Sequence, residues 1–326
     1  MSRERFRGIT LLFVFWAHVW HTRLTDALLR PYSEHMCSAR SGRLFRAAGV
    51  AVGAMLILAG CTARDDHSPT LPPPLGSLSY QLGGSYPPPH ETDIVVRDRV
   101  DSPSPAADYN VCYVNLLQTQ PDGSTPEATA YGTTAWWLAN HPDLLLHDDA
   151  GALVIDRDWD EALFDVSTAQ NRDALFAIQR EWITECAQNG FDAIEPDNLD
   201  ANTRSGGLLS HQHIRDYLTL VVQHAHHEGL AIAQKNAIDD GDGFGDKGGT
   251  FINGTEGFDF AIVEQCGYFD ECAAYAAVYG ERVYDIEYDR EGFKRACASY
   301  GSTVSVQLRD LDLTVPGDTA HIEERC

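Results

Sequence analysis

The chain has 326 residues, with 48 acidic side chains against 24 basic ones and a net charge of −24. That length allows one or two domains and ample chain for a full hydrophobic core. So acidic a body would be repelled by nucleic acid and by anionic membrane surfaces, which removes both as expected partners.

In chain order, Arg40, Arg43 and Arg46 precede the apolar run from Ala47 to Ala59, which leads into Leu58-Ala59-Gly60-Cys61. A basic segment, a short apolar segment and small residues at a cleavage point describe an export signal. The run is too short to span a bilayer comfortably. Met36 stands just ahead of it, so residues 1–35 are open to reading as an over-extended start. Without residues 1–61, which hold eight arginines and three acids, the net charge is −29. A polycationic substrate would be drawn to such a body, and simple solubility is the plainer alternative. Residues 62–77 contain Pro69, Pro72, Pro73 and Pro74 and read as an extended spacer.

From residue 78 to 326 strands and helices alternate. Strands are expected at Ser79–Leu82, Asp93–Val100, Tyr109–Val114, Ala162–Val166, Phe191–Asn198, Leu230–Ala237, Phe258–Glu264, Arg282–Tyr288 and Thr303–Leu308. Helices are expected at Gln170–Gln188, stopped by Asn189-Gly190, and after the cap Ser210 up to Gly229. Such alternation implies a parallel sheet with right-handed crossovers. About 250 residues is the usual size of a closed (β/α)8 TIM barrel, a single catalytic domain. Nine strands exceed eight, so the first or last is expected to be peripheral.

Two strands carry the chemistry. Phe191–Asn198 reads FDAIEPDN and places Ala193, Glu195 and Asp197 on one face. Phe258–Cys266 reads FDFAIVEQC, with Glu264 sharing its face with Phe260 and Ile262. Two strands that each end in an acid suit glycosidic bond cleavage, in which one carboxyl protonates the leaving oxygen and the other attacks the sugar or activates water. The plainer alternative is that Asp197 and Asn198 merely tie up a turn. Strand ends in such a barrel also point to Asp165, Lys235, Asn236 and Glu287. Lys235 among acids is expected to order Asp197 or Glu195 and to lower their pKa, a purely structural ion pair being the alternative. Tyr80, Tyr113, Trp136, Trp137 and Tyr288 are candidate sugar platforms or, equally, core.

Six cysteines follow Cys61, an even set that favours disulfides over zinc in an exported chain lacking any CxxC pair. Cys266 and Cys272 bracket a short turn and form the expected bridge, leaving Cys112 with Cys186 and Cys297 with Cys326. The histidines at 211, 213, 224, 226 and 227 lie off the apolar face of their helix and read as solvated, a metal site being the lesser alternative. The segment Asp239–Gly249 fails the EF-hand template, because Phe244 occupies a ligand position and the closing Glu is absent. No metal or cofactor is expected.

The blocks FDAIEPDNLD, AIAQKNA, FDFAIVEQCGYFDEC and RVYDIEYD, in that order, resemble the signature blocks of glycoside hydrolase family 114. The resemblance runs from about Leu78 to Asp312 and is strongest from Phe191 to Tyr288; it weakens between Tyr113 and Trp159. It implies a (β/α)8 barrel, endo-α-1,4-polygalactosaminidase activity, and Asp197 and Glu264 as the catalytic pair. Asp197 is then assigned as nucleophile and Glu264 as general acid/base, with the reverse order open. Glu195, Asn198, Lys235, Asn236, Asp165, Tyr80, Tyr113, Glu287 and Tyr288 are the candidate substrate-binding residues. Leu-Ala-Gly-Cys resembles the bacterial lipobox, which implies a lipid anchor at Cys61 at the bacterial cell envelope; the chain is expected to be a monomer. Action on another hexosamine or neutral glycan, and a catalytically silent carbohydrate-binding lipoprotein, are the alternatives.

Overall fold

The structure is a computed structural model and describes residues 68–122, 130–237 and 257–326. The export signal, Cys61 and the Asp239–Gly249 segment lie outside the described residues. All described residues belong to the unit Ala63–Cys326.

The elements run β1 (Leu78–Gln81), β2 (Ile94–Asp98), β3 (Tyr109–Val114), α1 (Thr134–Asn140), β4 (Ile155–Asp156), β5 (Glu161–Ala162), α2 (Ala169–Asn189), β6 (Ala193–Pro196), α3 (Ala201–Arg204), α4 (His211–His227), β7 (Ala231–Lys235), β8 (Phe260–Glu264), α5 (Cys266–Phe269), α6 (Cys272–Tyr279), β9 (Val283–Glu287), α7 (Arg290–Tyr300), β10 (Ser305–Arg309) and β11 (Glu323–Arg325). Strands β1, β2, β3, β6, β7, β8, β9 and β10 pair in parallel in that order, and β11 adds antiparallel to β10. The result is an α/β fold built on a near-closed, nine-stranded barrel sheet. Among the described residues no helix occupies the first two crossovers, so the strand–helix alternation is irregular.

Side-chain alternation sorts the core. Leu78, Tyr80, Ile94, Val96, Tyr109, Val111, Ala193, Ala233, Phe260, Ile262, Tyr284 and Ile286 fill the barrel interior. The opposite faces pack on helices: Cys112, Val114, Ile194 and Ile232 against the α2 and α4 side, and Ala261, Val263, Val283 and Val306 against the α6 and α7 side. Helix α2 starts where the Thr168 side chain accepts from Asn171 N, and it stops at Gly190, whose φ of 90° suits glycine. Ser210 caps α4 through a reciprocal box with His213. On α4, His226 hydrogen-bonds Asp259 at 2.9 Å and His224 bonds Thr184 at 2.9 Å, so these two are structural rather than simply solvated.

Three expectations change. The peripheral strand is neither the first nor the last: Glu161–Ala162 pairs only with β4, and Leu163, Phe164 and Val166 bury their apolar run beside α2, outside the barrel. Strand β11 is an addition that the sequence did not suggest. Residues 70–76 are docked rather than extended as a free spacer. Tyr109 donates to Thr70 O, Arg282 to Pro72 O, Tyr284 to Pro73 O and Ser305 to Gly76 O, which floors the end of the barrel where the strands begin.

The disulfides are Cys112–Cys186, Cys266–Cys272 and Cys297–Cys326. The first joins β3 to α2 across 74 residues, which in the chain-entropy account contributes about 4 kcal/mol.

The seam between β10 and β1 is closed by side chains. Gln307 accepts from Tyr80 N at 3.1 Å and donates to Leu78 O at 2.9 Å. Buried Arg309 donates to Tyr80 O, Ile322 O and Thr314 O. On β11, Glu323 accepts from Ser79 at 2.6 Å, Gln307 at 3.0 Å and Tyr86 at 3.0 Å. Glu323→Ala is therefore expected to lower unfolding stability by about 2–3 kcal/mol, read by urea denaturation; an unchanged midpoint would mean the seam does not depend on this strut.

Candidate active site

The interior stripes of β6, β7 and β8 end at one mouth of the barrel in Asp197, Lys235 and Glu264. The Lys235 side chain is 2% exposed, and its Nζ lies 3.2 Å from Glu195 Oε1, 3.3 Å from Asp197 Oδ2 and 3.4 Å from Glu264 Oε2. An ammonium so deeply buried is tolerable only when paired and hydrogen-bonded. It also donates to Tyr80 Oη at 3.1 Å.

Each carboxylate is braced separately. Tyr80 donates to Glu195 at 2.9 Å, Tyr113 to Asp197 Oδ2 at 2.7 Å, and Tyr288 to Glu264 Oε1 at 2.5 Å. The Asn198 backbone N–H donates to Asp197 Oδ1 at 2.7 Å. Asn236 donates its amide to Glu264 Oε2 at 2.9 Å and accepts from Glu264 N at 2.8 Å. The residue after each charged side chain is left-handed: Asn198 at φ 64°, Asn236 at 45° and Gln265 at 60°. Asparagine visits this region readily; glutamine does so at some cost, and such strain persists where the surroundings over-determine it. The chain thus turns away at once and leaves the charges at the mouth.

Their protonation follows from burial and partners. Burial pushes Asp197 up, but the Lys235 ammonium and the hydrogen bonds from Tyr113 and Asn198 outweigh it, so its carboxyl lies below the usual range. Glu195, fully buried, is raised to about 7 by desolvation despite Lys235. Burial works against the Lys235 charge, yet Asp197, Glu195 and Glu264 together hold its pKa well above normal.

Above these groups lies a cleft of about 480 Å³, lined among others by Tyr80, Tyr113, Asp197, Asn198, Lys235, Asn236, Glu264 and Tyr288. A larger, more open groove of about 540 Å³ near Tyr86 and Arg290 holds no such carboxylate arrangement. Glu195 is fully buried and supports the cleft from beneath instead of lining it. Two candidates lie elsewhere. Asp165 accepts from Ser167 N and Asn171 Nδ2, a turn-capping role before α2. Glu287 sits on the outward parity of β9, against Gly267 and Tyr268, because Tyr284, Ile286 and Tyr288 take the inward positions. Trp136 and Trp137 pack with Tyr131 and Trp182 in an aromatic cluster away from the cleft.

Other cleft residues were missed. Asp98, Trp159, Glu161, Asp200, Arg204 and Asp312 also line it. Glu161 is raised to about 8, chiefly by burial, against a hydrogen bond from Asn115 and with the Asp197 charge adding. Arg204 is bound by Asp200 and Asn198 and lies 3.0 Å from Asp156. The signal was Trp159 and Glu161 two residues apart beside an expected strand that begins, in fact, one residue earlier.

The sequence model of glycoside-hydrolase family GH114 matches residues 60–326. No curated protein matches the chain by sequence. Solved structures sharing the fold include Aspergillus fumigatus Ega3 in complex with galactosamine, with a TM-score of 0.58 at 18% identity over 79% of this chain and 98% of that one. The glycoside hydrolase domain of PelA from Pseudomonas aeruginosa gives 0.50 at 14% identity, over 74% and 98%. At these identities the likeness is one of fold.

Glu195 generates a pH dependence. Unfolded, it titrates near 4.3; folded, near 7. Between these values the folded state keeps a proton that the unfolded state releases, so stability from this group falls as pH rises to 7 and then levels. Glu195→Gln should remove that fall, up to about 4 kcal/mol. Its stability relative to the parent should therefore improve from pH 4.5 to 7.5 in denaturant titrations; a flat difference would refute the assignment.

Proposed function

Because the chain belongs to glycoside hydrolase family GH114, and is on that ground a glycoside hydrolase, we propose that it is an endo-acting, retaining enzyme of an α-1,4-linked, galactosamine-rich polysaccharide. The eight parallel strands are read as those of a (β/α)8 barrel with helix-free early crossovers. Export and lipid attachment at Cys61, with the protein as a monomer at the cell envelope, belong to the same proposal.

The observation that carries it is the single ammonium between two mouth carboxylates. Asp197 and Glu264 each put an oxygen against Lys235 Nζ, so those oxygens lie no farther apart than the sum of the two contacts. That bound admits the carboxyl separation of retaining enzymes, about 5–5.5 Å, and excludes all but the low end of the roughly 6.5–9.5 Å that leaves room for a water. Asp197, kept ionised by Lys235, Tyr113 and Asn198, attacks the anomeric carbon while Glu264 protonates the departing glycosidic oxygen. Glu264 then takes a proton from water, which hydrolyses the glycosyl ester on Asp197. Tyr288 and Asn236 fix the Glu264 carboxyl for both steps.

The cleft's charge supports a cationic substrate. Its lining holds the carboxyls of Asp98, Asp197, Asp200, Glu264 and Asp312 against two cations, Lys235 and Arg204, both already committed to carboxylates, while Glu161, raised to about 8, gives up its proton when an ammonium settles beside it. Glu161 makes no ion pair within 4 Å among the described residues, and Trp159, 57% exposed, stands two residues away. An aromatic face beside a carboxyl suits an amino sugar. The fold shared with the galactosamine complex is consistent with this reading.

Two measurements test it. Asp197→Asn and Glu264→Gln should each reduce kcat at least about 10³-fold on a de-N-acetylated galactosamine polymer, followed by reducing ends; near-normal turnover in either would sink the assignment. Glu161→Gln should raise KM about tenfold on that polymer and leave the N-acetylated one unaffected. Equal effects on both would show that Glu161 does not read the amine.

A further inference from the structure

The outward face of β9 carries two acids that the hydrolytic steps do not use. Asp285 and Glu287 are fully buried. With Ile286 between them they take up four consecutive backbone N–H groups of the turn that leaves β8. Gln265 N donates to Ile286 O at 2.8 Å and Cys266 N to Asp285 Oδ1 at 3.1 Å. Gly267 N and Tyr268 N both donate to Glu287 Oε1, at 2.7 and 3.1 Å. This is the turn that begins at left-handed Gln265, directly after Glu264.

The neighbourhood is shaped for these carboxyls. A Cβ on Gly267 would stand 2.9 Å from Glu287 Oε1, and one on Gly292 of α7 would overlap Oε2. Asp285 Oδ2 and Glu287 Oε2 are both buried and have no hydrogen-bond partner, and the two carboxyls are close enough to act on one another's charge. Two ionised carboxylates cannot share so dry a site, so one keeps its proton. Burial first, and then the Glu287 charge, push Asp285 well above the carboxylate range. Glu287 is raised by burial too, with the two N–H groups opposing. Glu264 on β8, Asp289 after β9, and Arg295 on α7, which donates to Tyr268 O at 3.1 Å, are the charged groups around them. A metal site is not the explanation: Cys266 and Cys272 lie close to Asp285, but their sulfurs are bonded to each other.

We propose that Asp285 and Glu287 form one proton-sharing carboxyl pair that positions Glu264 from outside the barrel by fixing the turn that leaves β8. Both are positioning residues, and the inference rests on the reading that Glu264 takes part in catalysis. An amide reproduces a protonated acid, donating to Glu287 while still accepting from Cys266 N–H.

The test compares Asp285→Asn with Asp285→Ala and Glu287→Ala in the full chain. Asp285→Asn should keep parental kcat, while either alanine variant should lower kcat ten- to a hundredfold at unchanged KM. Amide hydrogen exchange of residues 264–269 should quicken at least tenfold in the alanine variants and stay parental in Asp285→Asn. Infrared difference spectra of the parent against Asp285→Asn at pH 7 should show a protonated carboxyl band. That reading needs neither a foldable alanine variant nor a known substrate. Absence of the band, or Asp285→Asn as damaging as Asp285→Ala, would overturn the pair. A parent enzyme inactive on every galactosamine polymer, with band and exchange as expected, would refute the substrate reading alone.

Discussion

Everything at the mouth of this barrel answers to one buried ammonium. At an effective dielectric of 20, each carboxylate about 3.3 Å from Lys235 Nζ contributes about 5 kcal/mol of attraction, against a desolvation cost of several kcal/mol for each buried ion. One such contact would barely offset the burial of both partners. Three contacts, from Glu195, Asp197 and Glu264, hold the ends of β6, β7 and β8 together. The arrangement also has a surplus of negative charge, and it resolves this by environment. The driest acid, Glu195, moves towards the neutral form, while Asp197, with more donors, stays ionised.

The tyrosines complete this division. Tyr80, Tyr113 and Tyr288 each give a hydroxyl to a different carboxylate, and burial holds all three phenols protonated. They act as donors, with Tyr80 also accepting from Lys235. Their rings form part of the wall on which a sugar would rest, so one residue type supplies shape and proton bookkeeping together.

Much of this was legible because strand parity is a two-residue rule. In FDAIEPDN and FDFAIVEQC the apolar residues identify the inward face, and Glu195, Asp197 and Glu264 fall on it. The same rule, applied to RVYDIEYD, puts Tyr284, Ile286 and Tyr288 inward and Glu287 outward; reading Glu287 as a strand-end acid overlooked it. Asp165 failed for a different reason, since LFDV belongs to an apolar run that packs beside α2 and never enters the barrel. The wall around Glu161 and Arg204 was harder to read, because the short elements β5 and α3 lie far apart in sequence and bring these side chains together only after the chain has folded. Nor could composition show that a proline-rich stretch would dock: prolines donate no backbone hydrogen bond, but their carbonyls remain good acceptors for Arg282 and Tyr284.

The seam has a consequence for how the chain reaches its fold. Seven of the barrel's parallel junctions are backbone ladders between neighbours in chain order, and each can form as soon as its second strand exists. The last junction instead joins β10 to β1, more than 220 residues apart, through Gln307, Arg309 and the late-arriving Glu323. A chain threaded out from its N-terminus must carry an open sheet, with the Tyr80 backbone unsatisfied until Gln307 and Arg309 follow, and Ser79 until Glu323 does. Loop closure over that span is slow compared with local pairing. The open edge of β1 is therefore the template most exposed to mispairing while the chain folds, and it is covered only once β10 and β11 have both arrived.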